Sequence, residues 1–95
     1  MSKASDDVLA ERQRQIGVEG FSPEADGLYT IGELADAAAC YVTYAGQQLK
    51  FPRAGWWPWS DDWWKPTTRR RDLVKAAALI IAEIDRLDRL EKPHD

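Results

Sequence analysis

The chain has 95 residues, a net charge of −3, one cysteine and one histidine. A chain this short forms one domain, residues 1–95, and buries only about 60–65% of its unfolded surface. Cys40 alone excludes an intrachain disulfide, and with His94 as the only histidine it also excludes four-ligand Cys/His zinc sites and Ser-His-Asp or Cys-His catalysis.

The N-terminus is polar and acidic, without a secretory signal pattern. The longest apolar-rich run, Ala76–Ala82, falls far short of the ~20 residues of a membrane span. The acidic pI of about 5.1 argues against general nucleic-acid binding. A lone cysteine suits a reducing cytosol, so a cytoplasmic location is expected.

Residues 1–5 are expected to be disordered. Asp6 or Asp7 then caps a first helix that runs to about Ile16, with Val8, Leu9, Arg12 and Ile16 on its inward stripe. Gly17 and Gly20 close it. Gly20–Tyr29 reads as a loop anchored by Phe21 and Leu28. Thr30-Ile31-Gly32-Glu33 has the form of a capping box, opening a second helix that ends near Ala45. Its apolar stripe is Ile31, Leu34, Ala35, Ala38, Tyr41, Val42 and Ala45. Ala37–Ala39 keep the helix slim, which permits close approach by a neighbour or by a second copy.

Gly46–Pro66 is long for a connection, and its tryptophans argue against disorder. Ser60-Asp61-Asp62 would cap a short turn carrying Trp63 and Trp64. Thr67 or Thr68 caps a third helix from about Arg69 to Leu90, with Leu73, Ala76 or Ala77, Ile80, Ile84 and Leu87 at core spacing and Leu79 and Ile81 widening the arc. Pro93 stops it, and residues 91–95 are expected to be disordered. The acidic residues of the first part, Glu11 among them, read as a solvated face.

Catalytic patterns are missing. Neither GxxxxGK[ST] nor GxGxxG occurs, Cys40 reads as a small core residue, and Asp61-Asp62 reads as a helix cap. What remains is aromatic and basic. All five tryptophans lie between positions 56 and 64, flanked by Arg53, Lys65 and Arg69–Arg71. Aromatic faces stack on bases, and guanidinium groups pair with phosphate. Three arginines at a helix start, where positive charge is unfavourable, imply an anionic partner: a ligand, or a carboxylate such as Glu19, Glu24 or Asp72. Each tryptophan alone reads as core, but five exceed what one small core absorbs. Trp63 and Trp64 are expected under the third helix. The candidate ligand site is Trp56, Trp57, Trp59, Lys65, Arg69, Arg70 and Arg71, with no metal and no cofactor.

The strings AERQRQIGVEGFSPEAD, GELADAAACY, WPWSDDWWKP and RRRDLVKAAALIIAEIDRLDR resemble, over about Leu9–Arg89, a widespread family of small phage and prophage proteins without a settled function. Members often carry a His-Asp-Asp-x-His pattern, where this chain has Ala25, Asp26, Gly27, Leu28 and Tyr29. The departure implies that any metal or acid–base chemistry of relatives is absent here. The Glu19-Gly20-Phe21 element also carries a fainter similarity to the ryanodine-receptor repeat domain.

The expected fold is all-α: a small three-helix domain with the long Trp-rich loop packed across the helices, assembling as a homo-oligomer. The expected function is that of a phage-encoded, non-enzymatic counter-defence protein that sequesters a nucleotide-derived immune signal. The alternatives are an inhibitor that binds a host defence protein through the Trp-rich surface, and, less favoured, a nucleotide-acting enzyme.

Overall fold

The structure, a computed structural model, describes residues 2–17, 32–45, 47 and 55–91. They form three α-helices, α1 (Lys3–Gly17), α2 (Glu33–Thr43) and α3 (Arg69–Glu91), with one turn of 3₁₀ helix at Asp61–Trp63. The domain is all-α as expected, and α3 packs against both other helices. The expected loop at Gly20–Tyr29 with its anchors Phe21 and Leu28, the His-Asp-Asp-x-His positions, Arg53 and His94 lie outside the described residues.

α1 starts earlier than Asp6. Ser2 and Ser5 cap reciprocally: the Ser5 amide donates to Ser2 Oγ and the Ser2 amide to Ser5 Oγ, both at 3.1 Å. Two orphan donors are satisfied this way, so Lys3–Ser5 are helical instead of disordered. The inward face of α1 keeps Arg12 of the expected stripe but otherwise differs from it. Glu11, Arg12 and Gln15 are buried, Val8 and Ile16 are half-buried, and Leu9 is exposed.

The N-cap of α2 is Gly32, at φ +88° and with no side-chain cap. Glu33 is therefore the first helical residue; Thr30, the expected cap, lies outside the described residues. A left-handed cap suits glycine, which has no Cβ to clash. α2 buries Leu34, Ala37, Ala38, Cys40 and Tyr41 and exposes Ala35 and Val42.

The start of α3 follows the sequence reading. Thr68 Oγ1 accepts the Arg71 amide at 3.2 Å, and the fully buried Asp72 accepts the Thr67 amide at 2.7 Å. The core face of α3 keeps Ala76 and Leu79 of the expected set but is otherwise turned away from it. Val74, Ala76, Ala78, Leu79 and Ala82 are buried, whereas Leu73, Ile80, Ile84 and Leu87 are 39–51% exposed. The reason lies in the alanines. Ala37 and Ala38 share one core with Ala76, Ala82, Leu34 and Leu79, and small residues on both faces let the two helices close on each other. The slim face of α2 is thus covered within the chain, not by a second copy.

An aromatic layer completes the core. Trp64 is buried and stacks on Tyr41, with centroids 4.9 Å apart and planes 23° from parallel. Trp57 meets Tyr41 and Trp64 edge-on, at 5.7 and 5.0 Å. Trp59 extends the layer edge-on to Trp57 at 5.4 Å. The Trp-rich segment is in this sense packed on the helices.

Two substitutions check this packing by chemical denaturation. Leu34→Ala leaves a cavity and is expected to cost roughly 2–5 kcal/mol. Ala82→Leu forces the alanine seam apart and is expected to cost about 1–3 kcal/mol.

Candidate functional site

The Ser60 side chain accepts the Asp62 amide at 3.3 Å and so caps the 3₁₀ turn that carries Trp63. Behind that turn, three contacts pin the segment entering α3. The Lys65 amide donates to Tyr41 Oη at 3.1 Å, the Thr67 amide donates to Asp72, and Lys75 Nζ donates to the Lys65 carbonyl. The opposite wall comes from α1 through Glu11, Arg14 and Gln15. Between them lies a cavity of about 400 Å³.

One half of the cavity wall is aromatic, built from Tyr41, Trp57, Trp59 and Trp63; the other half is charged. Four cationic side chains, Arg14, Lys65, Arg71 and Lys75, face it against one carboxylate, Glu11. In a chain of net charge −3 this is a local excess of positive charge.

Glu11 organises the charged half. Its side chain is fully buried. It accepts Arg14 Nε at 2.8 Å, Arg14 Nη2 at 2.9 Å and Gln15 Nε2 at 3.1 Å, and across the helix interface it accepts Arg71 Nη2. Burial pushes its carboxyl up. The hydrogen bonds and charge of Arg14, the charge of Arg71 and the Gln15 amide outweigh this and hold it below the ordinary 4.5. Gln15 is buried too. Its amide nitrogen is committed to Glu11, while among the described residues its Oε1 has no hydrogen-bond partner. Burial lowers the pKa of the Lys75 ammonium, partly offset by Asp72, and Lys75 Nζ sits 5.6 Å over the Tyr41 ring.

The candidate residues divide. Trp57, Trp59, Lys65 and Arg71 line the cavity. Trp56 does not: it is 51% exposed and borders a second hollow of about 280 Å³ with Asp36, Ala39, Cys40 and Gly55. Neighbouring side chains in non-helical chain diverge, so Trp56 and Trp57 serve different faces. Arg69 and Arg70 also lie outside the cavity wall. Arg70 pairs with Asp7 at 2.9 Å, and Arg71 with Glu11. The carboxylates that answer these two arginines come from α1, not from Asp72. Glu19 and Glu24 lie outside the described residues. Trp64 is buried as expected, but Trp63 is 43% exposed at the cavity rim, with Lys65 Nζ 5.6 Å over its ring.

Sequence reasoning missed Glu11, Arg14, Gln15, Tyr41, Trp63 and Lys75 as wall residues. A usable signal exists for α1: Glu11 with Arg14 and Gln15 at i+3 and i+4 forms one charged cluster on one helix face. Cys40 faces the second hollow, where burial and Asp36 raise its thiol pKa. Among the described residues no group of three or more His, Cys, Asp or Glu side chains is placed to hold a metal, and no helix is long and apolar enough to cross a membrane. The chain matches no family model, no curated protein and no solved structure.

Removing the charge of Glu11 strands Arg14 and Arg71. Both arginines are partly solvated, so Glu11→Gln is expected to cost about 2–3 kcal/mol, below the fully buried limit. Because the folded state lowers the Glu11 pKa, its stabilisation is present above pH 4.5 and lost as pH falls through the lowered value. Urea denaturation across acidic pH is expected to show wild type losing stability there and Glu11→Gln losing less.

Proposed function

We propose that the protein is a non-enzymatic binding module that takes a nucleotide-type ligand, a planar ring carrying a negatively charged group, into the cavity between α1, α3 and the Trp-rich segment. The observation that carries this reading is the division of one cavity wall into aromatic rings and a cationic surplus. Rings of this kind stack on a base, and arginine and lysine pair with phosphate. A cavity of about 400 Å³ falls in the range that holds small organic ligands. Gln15 Oε1 offers a buried acceptor for a ring amino or imino group.

The reading is non-enzymatic because Glu11, the one carboxylate among the described wall residues, is engaged by Arg14, Gln15 and Arg71. A base so held in its ionised form is a poor proton carrier near neutral pH. In the phage setting that the sequence resemblance implies, such a module would sequester a nucleotide-derived immune signal. A second reading, an inhibitor of a host defence protein, draws on the exposed rings of Trp56 and Trp63, since aromatic residues are enriched at hot spots.

A panel of cyclic and ADP-ribose-type nucleotides tests the proposal through thermal shift and tryptophan fluorescence. At least one is expected to bind and to be recovered intact after denaturation. Trp63→Ala is expected to weaken that binding about tenfold, the scale of one stacked base, and Lys65→Glu to weaken it further. Trp56→Ala and Arg69→Ala, outside the cavity, are expected to leave it unchanged. A cleaved nucleotide would turn the reading to an enzyme. If none binds, the ligand reading fails and the protein-surface reading is left.

A further inference from the structure

α3 carries a second apolar face that the other described elements leave exposed. Leu73, Ala77, Ile80, Ile84 and Leu87 follow one another at alternating steps of four and three residues, the 3.5-residue repeat of a helix-pair seam. The four large residues are 39–51% exposed. It runs for about 21 Å along the helix and exposes on the order of 300 Å² of apolar surface, in the range where a patch marks an interaction site.

The charges at its two ends say what would cover it. Arg69 and Arg70 stand at the N-terminal end, with Arg70 also paired to Asp7 of its own chain, and Asp88 stands at the C-terminal end, where Arg89 lies off the stripe; Arg69, Arg70 and Asp88 are exposed. Arg70 and Asp88 are five full turns apart, so they lie on the same edge of the stripe. Asp88 also sits in the last turn, where the helix dipole adds negative charge. The face is therefore complementary to itself when reversed: an antiparallel copy brings the basic end of one against the acidic end of the other. A parallel copy would set like against like.

We infer that the chain forms a dimer through this stripe, with the two α3 helices antiparallel about a two-fold axis near Ile80. Such an axis makes one patch serve as both halves of the interface. The pairing is independent of the cavity, since Leu73, Ala77, Ile80, Ile84 and Leu87 do not line it.

Sedimentation equilibrium of the full chain tests this. Wild type is expected to be dimeric at micromolar concentration, and Ile80→Asp to raise the dissociation constant at least about a hundredfold with an unchanged far-UV spectrum. Ile84→Lys serves the same purpose should Ile80→Asp unfold. Arg70→Asp and Asp88→Arg are each expected to weaken the dimer several-fold at low salt, and the double swap to restore it. A monomeric wild type, a dimer insensitive to Ile80→Asp and Ile84→Lys, or a charge swap without restoration overturns the inference.

Discussion

The carboxylate of Glu11 is the point at which helix α1 is joined to the rest of the molecule. α1 has little apolar surface to bury: its inward face is Glu11, Arg12 and Gln15, and Leu9 is left in solvent. The helix is held instead by charge, with Arg71 reaching Glu11 from α3 and Arg70 reaching Asp7. Buried charges contribute little net stability compared with apolar packing. A small domain that spends an entire helix face on them is favouring geometry over stability. Here the geometry is a cavity wall with Arg14, Arg71 and Glu11 in set positions.

The opposite wall is built by ordinary core packing. Trp64 is buried on Tyr41, and Trp57 and Trp59 follow edge-on, each ring placed by the one before it. Tyr41 links the two systems. Its ring carries the stack and faces the Lys75 ammonium, and its hydroxyl accepts the Lys65 amide. The aromatic layer and the ionic network therefore meet in one place, between the Trp-rich segment and the start of α3. The cavity is the seam between them.

α3 has the complementary problem. It carries more large apolar residues than its inward face holds, and among the described residues it packs against α1 and α2. The chain resolves this by placing alanines, not leucines, against α2. Burying a large aliphatic side chain gives more free energy than burying alanine, but a seam of alanines brings two helices close and leaves room above it for the aromatic layer. The large residues Leu73, Ile80, Ile84 and Leu87 are displaced to the outer face.

The three helices, the Thr68 cap, the Ser60-capped turn and the core position of Trp64 were all legible in the sequence, because each depends on local spacing or on a side chain within a few residues. The meeting of aromatic and basic side chains was legible too, since the tryptophans and the basic residues are adjacent in the chain. Four of the seven candidate ligand residues, Trp57, Trp59, Lys65 and Arg71, do share one cavity. What the sequence did not reveal is which face each helix turns inward. The periodicity of α3 fits two stripes equally well, and only the alanines of α2, some 40 residues earlier, select between them. Nor does any local pattern show that Glu11, 60 positions from Arg71 in the chain, becomes its buried partner. Local order follows from hydrogen-bonding and steric rules within a turn or two. The inward faces and the ionic centre are decided only when distant helices compete for the same small volume.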